Sequence, residues 1–220
     1  MASLPADPTL DEIRAHLAPI LPTHAAFDGW STLAIDRAAE QAGLDPGIAR
    51  LAFPSGAIDM IDAWFASVDH KMTATLTAEQ LAGMKVRQRI TALVNARIDA
   101  VAHEREALRR AIAILAMPRN LARAAKLSWR SSDLMWRLAG DKATDYNHYT
   151  KRMMLSGVYG STILVLLDDE SEGFTETRAF LDRRIENIMQ FERAKGRFLE
   201  QAERRPSLSR FVGRLRYPAV

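Results

Sequence analysis

The sequence of 220 residues contains no cysteine. Disulfide bonds, thiolate nucleophiles and cysteine-ligated zinc or iron–sulfur centres are therefore excluded, and the composition suits a reducing cytoplasm. Long apolar runs are missing too, because stretches such as 161–167 fall far short of the roughly 20 residues that a membrane-spanning helix needs. Residues 1–10 have neither the basic nor the apolar region of a secretory signal, so we expect no such signal.

Sequence motifs of the common enzyme classes are absent as well. There is no phosphate-binding P-loop, no G-x-G-x-x-G, no G-x-S-x-G and no H-E-x-x-H. A helical di-iron enzyme would need two Glu-x-x-His motifs, and none of the five histidines has Glu three residues before it. The nearest approach, Asp145-x-x-His148, occurs once. We therefore expect no catalytic residue, no metal site and no cofactor, and a di-iron oxidoreductase is the least supported hypothesis.

Strand patterns are nearly absent, whereas apolar residues recur at helical spacing along almost the whole chain. With 48% hydrophobic and 26% charged residues, the composition is that of an ordinary globular protein, and the pattern predicts an all-α fold. Pro19 and Pro22 are expected to break the first helix before a turn at residues 27–30. The expected helices cover residues 9–18, 31–42, 46–52, 57–75, 77–104, 105–117, 120–139, 146–167 and 175–204.

Capping residues mark several of these helix ends. Ser31 is placed to cap the second expected helix, and Gly43 to end it in a left-handed conformation. Thr77 and Gln80 have the spacing of a capping box. The sequence therefore predicts that the fifth expected helix starts at this box.

The first third of the chain has the order of a helix-turn-helix at the start of a TetR-type regulator: helix, glycine turn, short helix, Phe-Pro-Ser-Gly at 53–56, longer helix. In DNA-binding members the second helix offers polar or basic side chains to the bases. Here it reads Asp-Pro-Gly-Ile-Ala-Arg-Leu-Ala, with Arg50 as its single cation. Residues 1–80 carry four basic and eleven acidic side chains, a net charge of −7 that repels nucleic acid. The sequence predicts a degenerate helix-turn-helix that serves for packing, and no nucleic-acid partner.

A motif in the second half of the chain is much more specific. Residues 132–155 read SDLMWRLAGDKATDYNHYTKRMML, and this segment strongly resembles the core shared by the Coq-nine family of ubiquinone-biosynthesis proteins. The resemblance extends over residues 10–195 and implies a TetR-repressor-like helical bundle. Further similar positions are 27–30, 53–56, 158–159, 168–169, 174 and 180–185.

The resemblance implies a homodimer that binds an isoprenoid lipid or quinone precursor in a hydrophobic cavity. It implies that the protein assists the di-iron demethoxyubiquinone hydroxylase without being the catalyst, and that a surface patch contacts this hydroxylase. His148 departs from the pattern, because some members carry tryptophan there. In this sequence the patch maps to Met135, Trp136, His148, Tyr149 and Arg152.

The residues of this predicted patch have two physical interpretations. Aromatic, methionine and arginine side chains are common interface anchors, and the two groups border one connecting loop. Alternatively, Trp136 and Tyr149 belong to the core, and Arg152 pairs with Asp141 or Asp145 to brace the loop. The residues by themselves leave both interpretations open.

The expected helix at 146–167 is apolar on more than one face, as in a helix inside a bundle. Methionine tolerates ligands of irregular shape, and the glycines and serines thin this helix and make room for an isoprenoid tail. Close helix packing without a cavity is the alternative, and the family resemblance favours the lipid site. The candidate lipid-binding residues are Met153, Met154, Gly157, Val158, Ser161 and Leu164.

The C-terminal tail is strongly basic. Residues 193–216 contain eight basic and two acidic side chains, and an apolar stripe recurs among the arginines. Such a helix can lie among the headgroups of an anionic membrane, where each cation contributes about 1 kcal/mol. The resemblance implies the same use, and packing on a partner subunit is the alternative. The candidate membrane-binding residues are Leu208, Arg210, Phe211, Arg214 and Leu215.

These observations predict three regions: a degenerate helix-turn-helix sub-bundle at 1–75, a lipid-binding and dimerisation bundle at 76–205, and a basic amphipathic segment at 206–220. The predicted function is that of a non-enzymatic accessory protein that presents an isoprenoid quinone precursor to the demethoxyubiquinone hydroxylase. We expect it in the cytoplasm, peripherally associated with the inner membrane. The alternative is a TetR-type ligand-responsive transcription regulator, against which the missing basic recognition surface counts.

Overall fold

Helices account for the regular structure of the chain. The computed structural model describes residues 4–5, 7–142, 144 and 146–203, with side chains up to residue 190. No strand occurs among these residues, so the all-α prediction is confirmed. The helices are α1 (Leu10–Leu17), α2 (Leu21–Asp28), α3 (Thr32–Ala42), α4 (Pro46–Leu51), α5 (Ala57–Thr75), α6 (Ala78–Ala82), α7 (Val86–Val101), α8 (Arg105–Leu115), α9 (Leu121–Leu138), α10 (Tyr146–Asp168) and α11 (Thr175–Glu203).

The chain divides into two compact units, residues 1–181 and 182–220. The described part of the second unit, 182–203, is the continuation of α11. The first unit contains α1 to α10 and the beginning of α11. The candidate lipid-binding and hydroxylase-contact residues, between positions 135 and 164, lie in this first unit.

Capping explains several helix ends. Gly43 ends α3 in the left-handed conformation, with φ of 70°, as predicted. Thr77 and Gln80 form the predicted capping box, with amide-to-side-chain distances of 2.9 and 3.3 Å. Ser31 occupies the N-cap position of α3 but its hydroxyl makes no capping bond, so that part of the prediction is wrong.

Helix α2 was not expected from the sequence. Pro22 lies in the first turn of α2, where an N–H has no partner within the helix in any case, so proline is tolerated there. The chain leaves α2 through Gly29, whose φ is 69°. Pro19 therefore lies between two short helices, Pro22 lies within the second, and this second helix extends into the predicted turn as far as Asp28.

The helix expected at 77–104 is divided as well. Helix α6 ends at Gly83, and α7 starts after Lys85, whose amide donates to the side chain of Gln88 at 2.9 Å. Glycine lowers helix stability by about 1 kcal/mol relative to alanine. A new helix is capped at Lys85 after this break, so two helices replace the predicted one.

A core around two tryptophans joins the early helices to the later ones. Trp64 of α5 is fully buried and its ring centroid lies 5.3 Å from that of Trp30. The indole N–H of Trp30 donates to the carbonyl of Ala107 in α8 at 3.0 Å. Helices from both sides of residue 75 therefore share one core, and the three-region division stays a prediction.

Candidate functional site

A cavity of about 280 Å³ lies among α5, α7, α8, α9 and α10. This volume is close to the lower end of small-molecule sites, about 300 Å³. Most of its wall is apolar, so it suits a hydrocarbon chain or ring. The apolar lining includes Phe65, Leu108, Ile112, Leu115, Leu127 and Ile163.

One side of this cavity is polar. Arg97 of α7 lines the cavity, is 1% exposed and forms an ion pair with Asp69 of α5. The hydroxyl of Ser131 in α9 donates to the second carboxylate oxygen of Asp69 at 3.3 Å. The guanidinium carbon of Arg97 lies 4.9 Å from the ring centroid of Tyr159 in α10. Arg97, Ser131 and Tyr159 thus form what we call the polar wall of the cavity, and Asp69, which does not line the cavity, is the ion-pair partner of Arg97.

The mouth of the cavity lies on the outer face of α10. Gly160 and Leu164 both line the cavity and are exposed, Leu164 to 56%. Met153 and Gly157 are exposed on the same face at helical spacing. A Cβ added at Gly157 or Gly160 would meet no atom within 4 Å, so neither glycine is required by close packing.

The six candidate lipid-binding residues are therefore dispersed. Only Leu164 lines the cavity, while Met153 and Gly157 lie on the outer face of α10. Val158 is buried, and the hydroxyl of Ser161 donates to the backbone carbonyl of Gly157 at 2.8 Å. Met154 is half-buried and does not line the cavity.

The connection between α9 and α10 is braced by charged side chains. Arg152 is 2% exposed, and it donates to Asp133 at 2.7 Å and to Asp141 at 3.1 Å. Lys151 donates to the other carboxylate oxygen of Asp141 at 2.7 Å. Arg152 therefore has the bracing role of the second interpretation, with Asp133 as an additional partner, whereas Asp145 lies outside the described residues.

Burial divides the predicted hydroxylase patch. Met135 is completely buried and Arg152 is almost so, which corrects their prediction as surface contacts. Trp136 is half-buried, and its indole N–H donates to the carbonyl of Lys151 at 3.0 Å. The exposed member of the set is Tyr149, at 57%.

Tyr149 belongs to an aromatic cluster on the surface. Its ring centroid lies 5.1 Å from that of His148 and 5.9 Å from that of Trp129 in α9. Sequence reasoning missed Trp129, although Trp129 precedes Trp136 by two helical turns and so lies on the same side of α9. We call Trp129, His148 and Tyr149 the aromatic cluster.

The helix that corresponds to a DNA-recognition helix, α4, presents a different chemistry. Arg50 donates two hydrogen bonds to the carboxylate of Asp36, both at 2.7 Å. The exposed side chains of α4 include Ile48 and Leu51, at 50% and 62% exposure. Its only cation is thus paired within the protein, and the regulator alternative gains no support from this helix.

Comparison with known proteins places these features in a family. A sequence model of the COQ9 family matches residues 121–192, which contain the α9–α10 connection, the aromatic cluster and two residues of the polar wall. The mitochondrial ubiquinone biosynthesis protein COQ9 of Rattus norvegicus is 32% identical over 168 residues, 73% of this chain and 54% of the rat protein. The protein of the same name from Homo sapiens is 31% identical over 73% of this chain and 52% of its own length.

The chain belongs to the COQ9 family. It spans about half the length of these curated relatives. The fold of this COQ9-family chain is similar to that of a TetR transcriptional regulator from Nitrosomonas europaea ATCC 19718, with a TM-score of 0.63. The similarity covers 79% of this chain and 95% of the regulator at 23% sequence identity. It confirms the predicted TetR-like fold and, at this identity, shows the fold alone.

Membrane contact and the absence of a metal site both stay predictions. None of the described helices combines the length and the apolar character needed to cross a membrane. Within the same part of the chain, no three acidic or histidine side chains converge as metal ligands. The tail predicted to bind membranes, with Leu208, Arg210, Phe211, Arg214 and Leu215, lies outside the described residues.

Proposed function

We propose that this chain is a non-enzymatic accessory protein of ubiquinone biosynthesis that binds an isoprenoid quinone precursor and presents it to the demethoxyubiquinone hydroxylase. The observation that carries the proposal is the apolar cavity with one polar wall, part of which lies in the segment matched by the COQ9 family. The relatives from rat and human are both named ubiquinone biosynthesis proteins, which supports the pathway.

Burial of hydrocarbon supplies the driving force in this proposal. Each CH₂ group removed from water contributes about 0.8 kcal/mol, so a few isoprene units provide substantial affinity. A cavity of about 280 Å³ holds only part of such a molecule. The remainder of the tail leaves through the mouth at Gly160 and Leu164 and runs along the outer face of α10, past Met153 and Gly157.

The aromatic cluster is the proposed contact for the hydroxylase. Tyrosine and tryptophan are frequent anchors of protein interfaces, and Tyr149 exposes more than half of its side chain. Trp136 lies two turns along α9 from Trp129, so it can extend the same contact. Arg152 contributes indirectly, by holding the ends of α9 and α10 together.

The remaining parts of the proposal are a homodimer and peripheral association with the inner membrane. Both follow from the family resemblance, and the membrane contact is also supported by the eight cations between residues 193 and 216. We also propose that the chain does not catalyse a reaction, because its sequence lacks the motifs of the common enzyme classes and because the proposed role is an accessory one.

Native mass spectrometry of the purified chain, followed by organic extraction, tests the lipid-binding proposal. We expect an isoprenoid quinone or lipid at a defined ratio to the protein. The Ala124→Phe variant should lose it because residue 124 lines the cavity, whereas Ala125→Phe, on the exposed side of α9, should retain it. A wild-type chain that stays free of lipid after refolding with ubiquinone-containing liposomes would contradict presentation.

A further inference from the structure

The polar wall of the cavity contains a guanidinium group whose donors are not all used by the fold. Arg97 is 1% exposed, and its guanidinium group carries five N–H donors and no acceptor. One terminal nitrogen bonds Asp69, but the Nε atom is buried and makes no hydrogen bond. A buried donor without an acceptor costs about 1–3 kcal/mol. On the wall of an apolar cavity, such a donor favours a ligand that brings an acceptor.

The charges around this donor are balanced. Asp69 pairs with Arg97 and also lies 3.7 Å from the Nε atom of Arg130. Arg130 in turn pairs with Asp62 at 2.5 Å. Two carboxylates and two guanidinium groups leave no excess positive charge. A bound phosphate would therefore be repelled by the carboxylate of Asp69, with no spare cation to offset the repulsion. A neutral oxygen would accept the hydrogen bond without that penalty.

The donor is also held in place before any ligand arrives. The ring of Tyr159 lies against the guanidinium of Arg97, at 4.9 Å. Ser131 bonds Asp69 and so fixes the carboxylate that orients Arg97. A donor already oriented by its neighbours loses little entropy when it binds.

We infer that Arg97 selects the polar end of the bound molecule: it donates a hydrogen bond to a neutral oxygen of the carbonyl or phenol class, in a molecule whose remainder is apolar. The inference rests on the proposed lipid-binding function and assigns the residue that determines its specificity. Asp69, Ser131 and Tyr159 act through Arg97 and are positioning residues.

Three probes that share a six-carbon chain and a benzene ring test this assignment by titration calorimetry at pH 7. Hexyl phenyl ketone offers a carbonyl oxygen, hexylbenzene offers none, and 4-hexylphenyl phosphate offers a charged group. The wild-type chain should bind the ketone about tenfold or more tightly than hexylbenzene, because one hydrogen bond to a charged donor accounts for a gain in affinity of that size. It should bind the phosphate no more tightly than hexylbenzene.

Paired substitutions connect this preference to Arg97. In the double variant Arg97→Met with Asp69→Leu no lone charge is left buried, so both apolar replacements can be accommodated. This variant should bind the ketone and hexylbenzene with the same affinity. The matched control is Arg178→Met with Asp99→Leu, which removes an ion pair of 2.6 Å between the same residue types, with Asp99 also on α7 but outside the cavity. The control should keep the full preference for the ketone.

Each outcome separates the inference from the proposed function. Equal affinity of the wild-type chain for the ketone and hexylbenzene, or a double variant that keeps the preference, would overturn the role of Arg97 while leaving the cavity in place. If the phosphate bound most tightly of the three probes, the inference that the polar end of the ligand is a neutral oxygen would be overturned. Failure of all three probes to bind would overturn the lipid-binding function itself. If the double variant does not fold, the preference of the wild-type chain among the three probes still decides the chemistry.

Discussion

The carboxylate of Asp169 accepts two hydrogen bonds from Thr177, one from its amide at 2.8 Å and one from its hydroxyl at 2.5 Å. Ser171 donates two more, to the other oxygen, at 2.8 and 2.5 Å. Asp169 follows the last residue of α10 and Thr177 lies in the first turn of α11, so this carboxylate ties the two helices together. Burial raises the pKa of Asp169, but the four hydrogen bonds outweigh burial and lower it from 3.8 to about 2.

We expect acid to weaken this connection. A carboxyl group with a depressed pKa contributes stability that is present above its unfolded pKa and is lost as pH falls through its folded pKa. The free energy of unfolding should therefore fall by about 1 to 2 kcal/mol between pH 4 and pH 2 because of Asp169. This range allows for screening by solvent, which reduces the effect. Urea unfolding followed by circular dichroism at several pH values measures this change.

The Asp169→Asn variant isolates the contribution of that carboxylate. It should lose about the same free energy at pH 7 and show a shallower decline below pH 4. Asp168→Asn is the control, because the side chain of Asp168 is 79% exposed and its pair with Arg109 lies in solvent, where ion pairs contribute little to stability. Parallel pH profiles for wild type and Asp169→Asn would refute the assignment.

The bracing of the α9–α10 connection predicts that two arginines that share a partner contribute very differently to the free energy of unfolding. Arg152→Leu should lower the free energy of unfolding by about 1 to 3 kcal/mol, because Asp133 and Asp141 lose the buried hydrogen-bond donor that they share and keep their more exposed partners, Arg137 and Lys151. Arg137 pairs with the same Asp133 at 3.0 Å, but its side chain is 65% exposed. Arg137→Leu should therefore cost less than about 1 kcal/mol. Equal losses in urea unfolding would contradict a bracing role that depends on burial.

The aromatic cluster predicts selective effects on the proposed hydroxylase contact. Tyr149→Ala and Trp129→Ala should each weaken binding to the purified demethoxyubiquinone hydroxylase about tenfold or more, as expected for anchors near an interface centre. Tyr146→Ala is the matched control, since Tyr146 is 75% exposed on α10 but has no place in the cluster. Surface plasmon resonance measures the dissociation constants. If loss of Tyr146 weakens binding as much as loss of Tyr149, the contact is not centred on this cluster.

The local and the long-range features of the chain differ in how far the sequence predicts them. The cap at Gly43 and the box at Thr77 depend on residues within one turn, so their spacing reveals them. Pro22 was compatible with two structures, because proline can either end a helix or lie in the first turn of a new one. Here the first turn of α2 contains it.

The candidate sites show the other limit. Arg97 and Asp69 are 28 positions apart on different helices, and no periodicity in either helix indicates their pairing. The same holds for Trp129 and Tyr149, which meet only because α9 and α10 pack together. The family motif identified the region of the α9–α10 connection, but burial decided that Arg152 and Met135 face inward. Tertiary packing thus separates positioning residues from surface contacts within one motif.

The glycines of α10 distinguish the two interpretations that the sequence left open for this helix. If they permitted close helix packing, replacing them by alanine would create a clash and destabilise the chain. The structure instead leaves open space at both Cβ positions, so Gly157→Ala and Gly160→Ala should each raise the free energy of unfolding by about 0.5 to 1 kcal/mol. Gly160 also lines the cavity mouth. Gly160→Ala should therefore retain less copurifying lipid while being more stable, and a destabilised Gly160→Ala chain would favour close packing over ligand access.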